Sequence, residues 1–111
     1  MYSVEKKTNK ITLTRGDTLK CKINLFYSDG SPYVPAAGDK CRFALKKVYT
    51  DANYIILKSI PTATMILQLD PNDTKPLDFG TYTYDIEMTF DDGTVYTFVT
   101  PSPFVIDKEV Y

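Results

Sequence analysis

The sequence predicts an all-β sandwich of about seven to eight short antiparallel strands, with one short helical turn near residues 70–76. Three observations predict it. Apolar and polar residues alternate in short runs, and no run shows helical spacing. Turn signals built on Gly, Pro, Asp and Asn interrupt the runs at intervals of about 8–12 residues. The composition favours strands, with nine Tyr and six Phe among 111 residues. That length suits a single domain spanning 1–111 with a real core.

The elements follow in order. Residues 1–9 read as a polar, flexible arm. "KITLT" alternates Ile11 and Leu13 against Thr12 and Thr14, and Arg15-Gly16-Asp17 ends it in a turn. "TLKCKINLFY" puts Leu19, Cys21, Ile23 and Leu25 on one face and Lys20, Lys22 and Asn24 on the other. The 28–39 stretch, with Asp29-Gly30, Pro32, Pro35 and Gly38, is an irregular connection. "KCRFALKKV" points Cys41, Phe43 and Leu45 inward, and "YIILKSI" is a short strand stopped by Pro61. "TATMILQLD" points Met65, Leu67 and Leu69 one way. Pro71, with Asp70 before it and Asp73 after, suits a short helical turn. "FGTYTYDIEMTFDDGTVYTFV" is a hairpin. Its first arm turns Tyr82, Tyr84, Ile86, Met88 and Phe90 to one face, and Asp92-Gly93 supplies a tight turn. Its second arm is apolar on both faces, and "PSPFVIDKEV" is read as a final edge piece.

Composition and charge exclude several function classes. The net charge of −1 gives no electrostatic footprint for nucleic acid. The charge is polarised along the chain: residues 1–58 are basic and residues 59–111 acidic. Interleaved strands from the two halves would mix these charges on the faces; head-to-tail packing of copies is the other outcome. No signal peptide and no membrane-length apolar run is seen, so a soluble protein made in a cytoplasm is expected. Cys21 and Cys41 both fall on inward positions and are expected as buried free thiols.

No catalytic, cofactor or metal residues are expected. The chain has no His, which removes His-based triads and most zinc sites. Asp85 and Glu87 share a strand face and could in principle form a carboxylate pair, but a solvated face accounts for them. Asp70, Asn72 and Asp73 lack calcium-loop spacing and read as a capped turn. Arg15-Gly16-Asp17 spells an adhesion tripeptide, yet its position between two strands makes it a turn. The inward rows do not accommodate every tyrosine; Tyr27, Tyr33, Tyr49, Tyr54, Tyr96 and Tyr111 stand outside them. From these, and from Phe98 on the same arm as Tyr96, the candidate interface residues are Tyr33, Tyr54, Tyr96 and Phe98.

Two resemblances follow from quoted residues. "LDFGTYTY" resembles the Asp-x-Gly-x-Tyr-x-Cys entry to the sixth strand of immunoglobulin-like domains, with Asp78, Gly80 and Tyr82 in the first three places. The resemblance implies an immunoglobulin-like sandwich with a structural corner at Asp78, Gly80 and Tyr82, in which the Tyr82 hydroxyl returns to the preceding loop. Tyr84 stands where the second Cys would be, and Cys21 where the first would be. Phe43 is the core aromatic where that family has Trp.

Across about residues 10–107 the chain is also similar to small immunoglobulin-like domains of tailed phages and prophages, such as the N-terminal domain of baseplate upper proteins. The shared elements are Arg-Gly-Asp-Thr, Asp-Gly-x-Pro-Tyr, Gly-Asp-Lys-x-Arg-Phe, Gly-x-Tyr-x-Tyr-Asp-Ile and Asp-Gly-x-Val-Tyr. That likeness implies a non-enzymatic virion protein of the tail, baseplate or head, assembled in the host bacterial cytoplasm. Its partners would be other virion proteins or copies of itself, with no nucleic acid, membrane or cofactor. A carbohydrate-binding or adhesion module using exposed tyrosines is the alternative.

Overall fold

The computed structural model describes residues 2–5 and 8–108. Its elements are β1 (Tyr2–Glu5), β2 (Lys10–Thr14), β3 (Leu19–Lys22), β4 (Lys40–Lys46), β5 (Ile56–Ile60), β6 (Ile66–Leu69), α1 (Pro71–Thr74), β7 (Gly80–Thr89) and β8 (Val95–Asp107). A six-stranded sheet runs β1-β2-β8-β7-β4-β5, and β3-β6 form a second, two-stranded sheet. The two sheets make an all-β sandwich. The trio β4-β7-β8 set against β3-β6 matches the C-F-G and B-E strands of an immunoglobulin-like plan.

The core is what alternation requires. Leu13, Leu19, Phe43, Leu45, Leu67, Leu69, Met88 and Phe104 have no exposed surface. At the centre, Phe43 stacks on Tyr84 with ring centroids 5.4 Å apart and meets Phe104 edge-on at 5.9 Å. The Tyr84 hydroxyl leaves this cluster to donate to the Asn9 carbonyl, tying the centre of β7 to the turn before β2. Cys21 and Cys41 are both free thiols, so no disulfide supplements these aromatic contacts.

The corner forms as the first resemblance implies. Gly80 has φ +139°, a conformation open to glycine and costly for other residues. The backbone turns there, and the Tyr82 hydroxyl donates to the Asp78 carbonyl at 2.8 Å. Lys47 Nζ lies 4.4 Å over the Tyr82 ring. The hydroxyl and one ring face are thereby both engaged, and Tyr82 is buried.

Several expectations are corrected. Residues 2–5 of the expected flexible arm form strand β1, with Tyr2 opposite Leu13 and Glu5 opposite Lys10; positions 1, 6 and 7 lie outside the described residues. The cause is a turn at Asn9, whose φ of 57° reverses the chain onto β2. The strands are not all antiparallel: β2 runs parallel to β8, with Ile11 opposite Phe104 and Leu13 opposite Ile106. That register puts all four side chains on the inner face. The hairpin turn is a three-residue loop, in which Phe90 N–H donates to the Thr94 carbonyl and Gly93 alone takes positive φ. Cys41 is buried, but Cys21 is only half-buried.

The second arm and the expected edge piece are one 13-residue strand, β8. Its pairing with β7 slips twice. Tyr84 faces Ser102, Ile86 faces Val99, and Glu87 faces Thr97, so β8 carries one extra residue at Thr100–Pro101 and one at Phe98. Each bulge reverses which parity points inward. This is why the arm reads as apolar on both faces.

The corner is worth testing directly. Tyr82→Phe should lower unfolding stability by about 1 kcal/mol, the usual net worth of one hydrogen bond, and Gly80→Ala by about 1–3 kcal/mol through backbone strain. Urea unfolding followed by circular dichroism measures both.

Buried phenols should also set an alkaline limit. Burial, helped at Tyr33 by Asp39, pushes the Tyr33 and Tyr84 hydroxyls up to about 12. The unfolded chain loses these protons near pH 10 and the folded chain only near 12. Stability from these groups is therefore full below pH 10 and lost as pH rises to about 12. The unfolding midpoint against pH should fall in that window, and Tyr84→Phe should flatten the fall.

Candidate functional site

The four candidate interface residues separate into two places. Tyr33, Tyr96 and Phe98 share one aromatic cluster, with Tyr33 buried and the other two half-buried, and only Tyr54 is exposed on an open face.

Tyr33, Tyr96 and Phe98 join Tyr27 and Phe90 in an aromatic cluster at one end of the sandwich. Phe98 is its hub, with ring centroids 4.7 Å from Tyr96, 5.0 Å from Tyr27, 5.4 Å from Tyr33 and 6.5 Å from Phe90. Its position at a bulge of β8 is what swings it over the inner face. Tyr33 is 9% exposed, and its hydroxyl donates to Asp39 Oδ2 at 2.6 Å. The other oxygen, Asp39 Oδ1, accepts from Asp91 N–H at 3.2 Å. Asp39 thus lashes the 28–39 connection to the β7–β8 loop. Gly38 permits that approach, since a Cβ there would lie 2.1 Å from Asp91 Oδ1. These tyrosines were legible as unaccommodated by alternation; their contacts across the loop were not.

The open face is the outer surface of the large sheet over β4, β5 and β7. Arg42 stands at its centre. Its guanidinium contacts Asp85 Oδ1 at 2.7 Å and Glu87 Oε2 at 3.1 Å, and lies 5.5 Å from the Tyr54 ring centroid. Lys46 Nζ also lies 4.8 Å from the centroid of the same ring. Tyr54 is nearly half exposed; beside it Tyr49 and Leu57 are 65% and 58% exposed. Lys46, Tyr49, Tyr54, Thr83 and Asp85 line a shallow depression there. Leu57 was not singled out from the sequence. Its signal was present: "IILKSI" carries an apolar residue at an outward place, opposite Ala44, between inward Ile56 and Ile60.

The remaining chemical candidates are absorbed by structure. Asp85 and Glu87 are the two acceptors of the Arg42 fork. Asp73 accepts from Asp70 N–H at 2.7 Å and pairs with Lys58 at 3.0 Å, while Asn72 is exposed. In the Arg15-Gly16-Asp17 turn, Arg15 donates to the Leu77 carbonyl and covers the Phe79 ring at 4.3 Å. Gly16 N–H donates to buried Thr74 Oγ1 at 2.9 Å. That turn docks α1 onto the sandwich. Among the described residues no cluster of three metal-ligating side chains occurs, and no helix is long and apolar enough to cross a membrane.

The two places should respond differently to truncation. Phe98 is half-buried, so Phe98→Ala should cost about 2–3 kcal/mol, below the range of a fully buried ring. Tyr54→Ala and Leu57→Ala should each change stability by roughly 0.5 kcal/mol or less, as exposed positions do. Urea midpoints decide this, and only the second pair can report on binding without a change in folding.

No protein-family model, curated protein or solved structure matches this chain.

Proposed function

We propose that this protein is a non-enzymatic structural component that works by protein–protein assembly, in a phage or prophage virion as a tail, baseplate or head accessory protein. The observation that carries assembly is the open face of β4–β5, where Tyr49, Tyr54 and Leu57 stand exposed around the Arg42 network. Exposed Tyr and Arg side by side are the residue types enriched at binding hot spots. That face runs to the outer edge of β5, the last strand of its sheet, where a partner strand could add. The virion setting rests on the sequence resemblance across about residues 10–107.

A carbohydrate-binding reading is favoured by one observation. The shallow depression has Tyr49 and Tyr54 in its lining, with Lys46 and Asp85 as polar partners. Aromatic rings beside such groups can stack on a sugar and hydrogen-bond its hydroxyls.

Size-exclusion chromatography with light scattering tests the first reading. The expected result is an oligomer or a complex with a neighbouring virion protein that Tyr54→Glu with Leu57→Glu dissociates while the monomer stays folded. A monomer that binds a glycan array, and loses binding on Tyr49→Ala with Tyr54→Ala, would replace assembly with carbohydrate recognition.

A further inference from the structure

Among the described residues the small sheet is incomplete on one side. β3 pairs with β6 along one edge only, and β1 and β2 belong to the other sheet. Ile23 N–H donates to the Met65 carbonyl at 2.7 Å, so Ile23 faces β6, as do Cys21 and Leu19 by parity. Lys20 and Lys22 therefore turn their amide groups to the open side. The Tyr2 hydroxyl confirms the direction, since it donates to the Lys20 carbonyl at 2.8 Å from β1; an added strand shares or displaces that one contact.

Beside this edge lies a groove of ≈ 530 Å³ between the two sheets. Its apolar lining includes Val4, Ile11, Ile23, Phe26 and Val99. Val4 and Phe26 are 43% and 57% exposed, so the groove is wide enough to show apolar surface to water. Its rim is basic. Lys20 and Lys22 are exposed, and among the described residues neither has a carboxylate partner.

We propose that this groove accepts one extended segment of a partner protein, which adds to the outer edge of β3 as a third strand of the small sheet. The segment alternates apolar residues, which enter the groove, with acidic residues, which meet Lys20 and Lys22. The charge of the rim selects that occupant over a basic or neutral strand. The inference rests on the assembly reading and names a second surface for it, on the opposite side from Tyr54.

Cys21 lines the groove and is half-buried, whereas Cys41 is 2% exposed, so the two thiols make an internal control. The probe is a blocked synthetic peptide of about nine residues alternating Val with Glu, long enough at ~3.3 Å per residue to span the edge. Maleimide labelling of the folded chain, read site by site by mass spectrometry, follows Cys21. The peptide should slow Cys21 labelling at least tenfold at saturation. The same peptide with Lys for Glu should not, and Lys20→Glu with Lys22→Glu should raise the peptide concentration needed by at least tenfold. If that double variant does not fold, Lys22→Gln supplies the comparison. Unchanged Cys21 labelling at millimolar peptide, or equal protection by the Lys peptide, overturns the proposal. Protection that appears with rising protein concentration alone also overturns it, by making a second copy the occupant. If Tyr54→Glu with Leu57→Glu breaks assembly while the peptide never protects Cys21, assembly stands and the groove inference alone fails.

Discussion

Everything in this sandwich depends on packing Phe43 against Tyr84 and Phe104. The three rings come from β4, β7 and β8, the central strands of the large sheet. With both thiols free, no covalent tie crosses the core. Close-packed aromatic area has to hold the sheets together, and such rings bury more surface than any aliphatic residue could at those positions. Tyr84 adds a second role through its hydroxyl, which fixes the Asn9 turn and with it the β1–β2 hairpin. One residue thus links the core to the outermost strand.

The charge pattern follows from the same strand order. The basic first half of the chain supplies β4 and the acidic second half supplies β7, and these strands are neighbours. Arg42 then meets Asp85 and Glu87 across the ladder, and Lys58 meets Asp73. The polarity of the sequence is largely cancelled on the large sheet. It survives on β3, whose partner β6 offers Gln68 and Ile66 opposite the two lysines.

How much was legible follows the range of each interaction. The strands from β2 to β7, most of the inward rows, the short helix and the corner at Asp78, Gly80 and Tyr82 are local: alternation, a capped turn and a four-residue hydrogen bond. Those were readable. The parallel β2–β8 pair and the contacts of Tyr33 with Phe98 join residues far apart in sequence, and no local pattern encodes them. The bulges of β8 sit between these cases. Their trace, an arm apolar on both faces, was visible, but parity alone could not say where the slip occurs. At the open face, Tyr54 was nameable because alternation left it over. Leu57 also left a trace, an apolar residue at an outward place, but its exposure depends on β5 lying at a sheet edge, which no local pattern encodes.

The parallel pairing of β2 with β8 has a consequence for how the protein is made. β2 lies near the start of the chain and β8 near its end, so this edge of the large sheet cannot close until synthesis of β8 is complete. Contacts of such separation carry the largest loop-closure cost and form late. The β7–β8 hairpin is local and can assemble as soon as it emerges. Until β2 docks on it, Ile11, Leu13, Phe104 and Ile106 all lack their final cover. The nascent chain therefore passes through a stage in which β2 waits, apolar side outward, for β8.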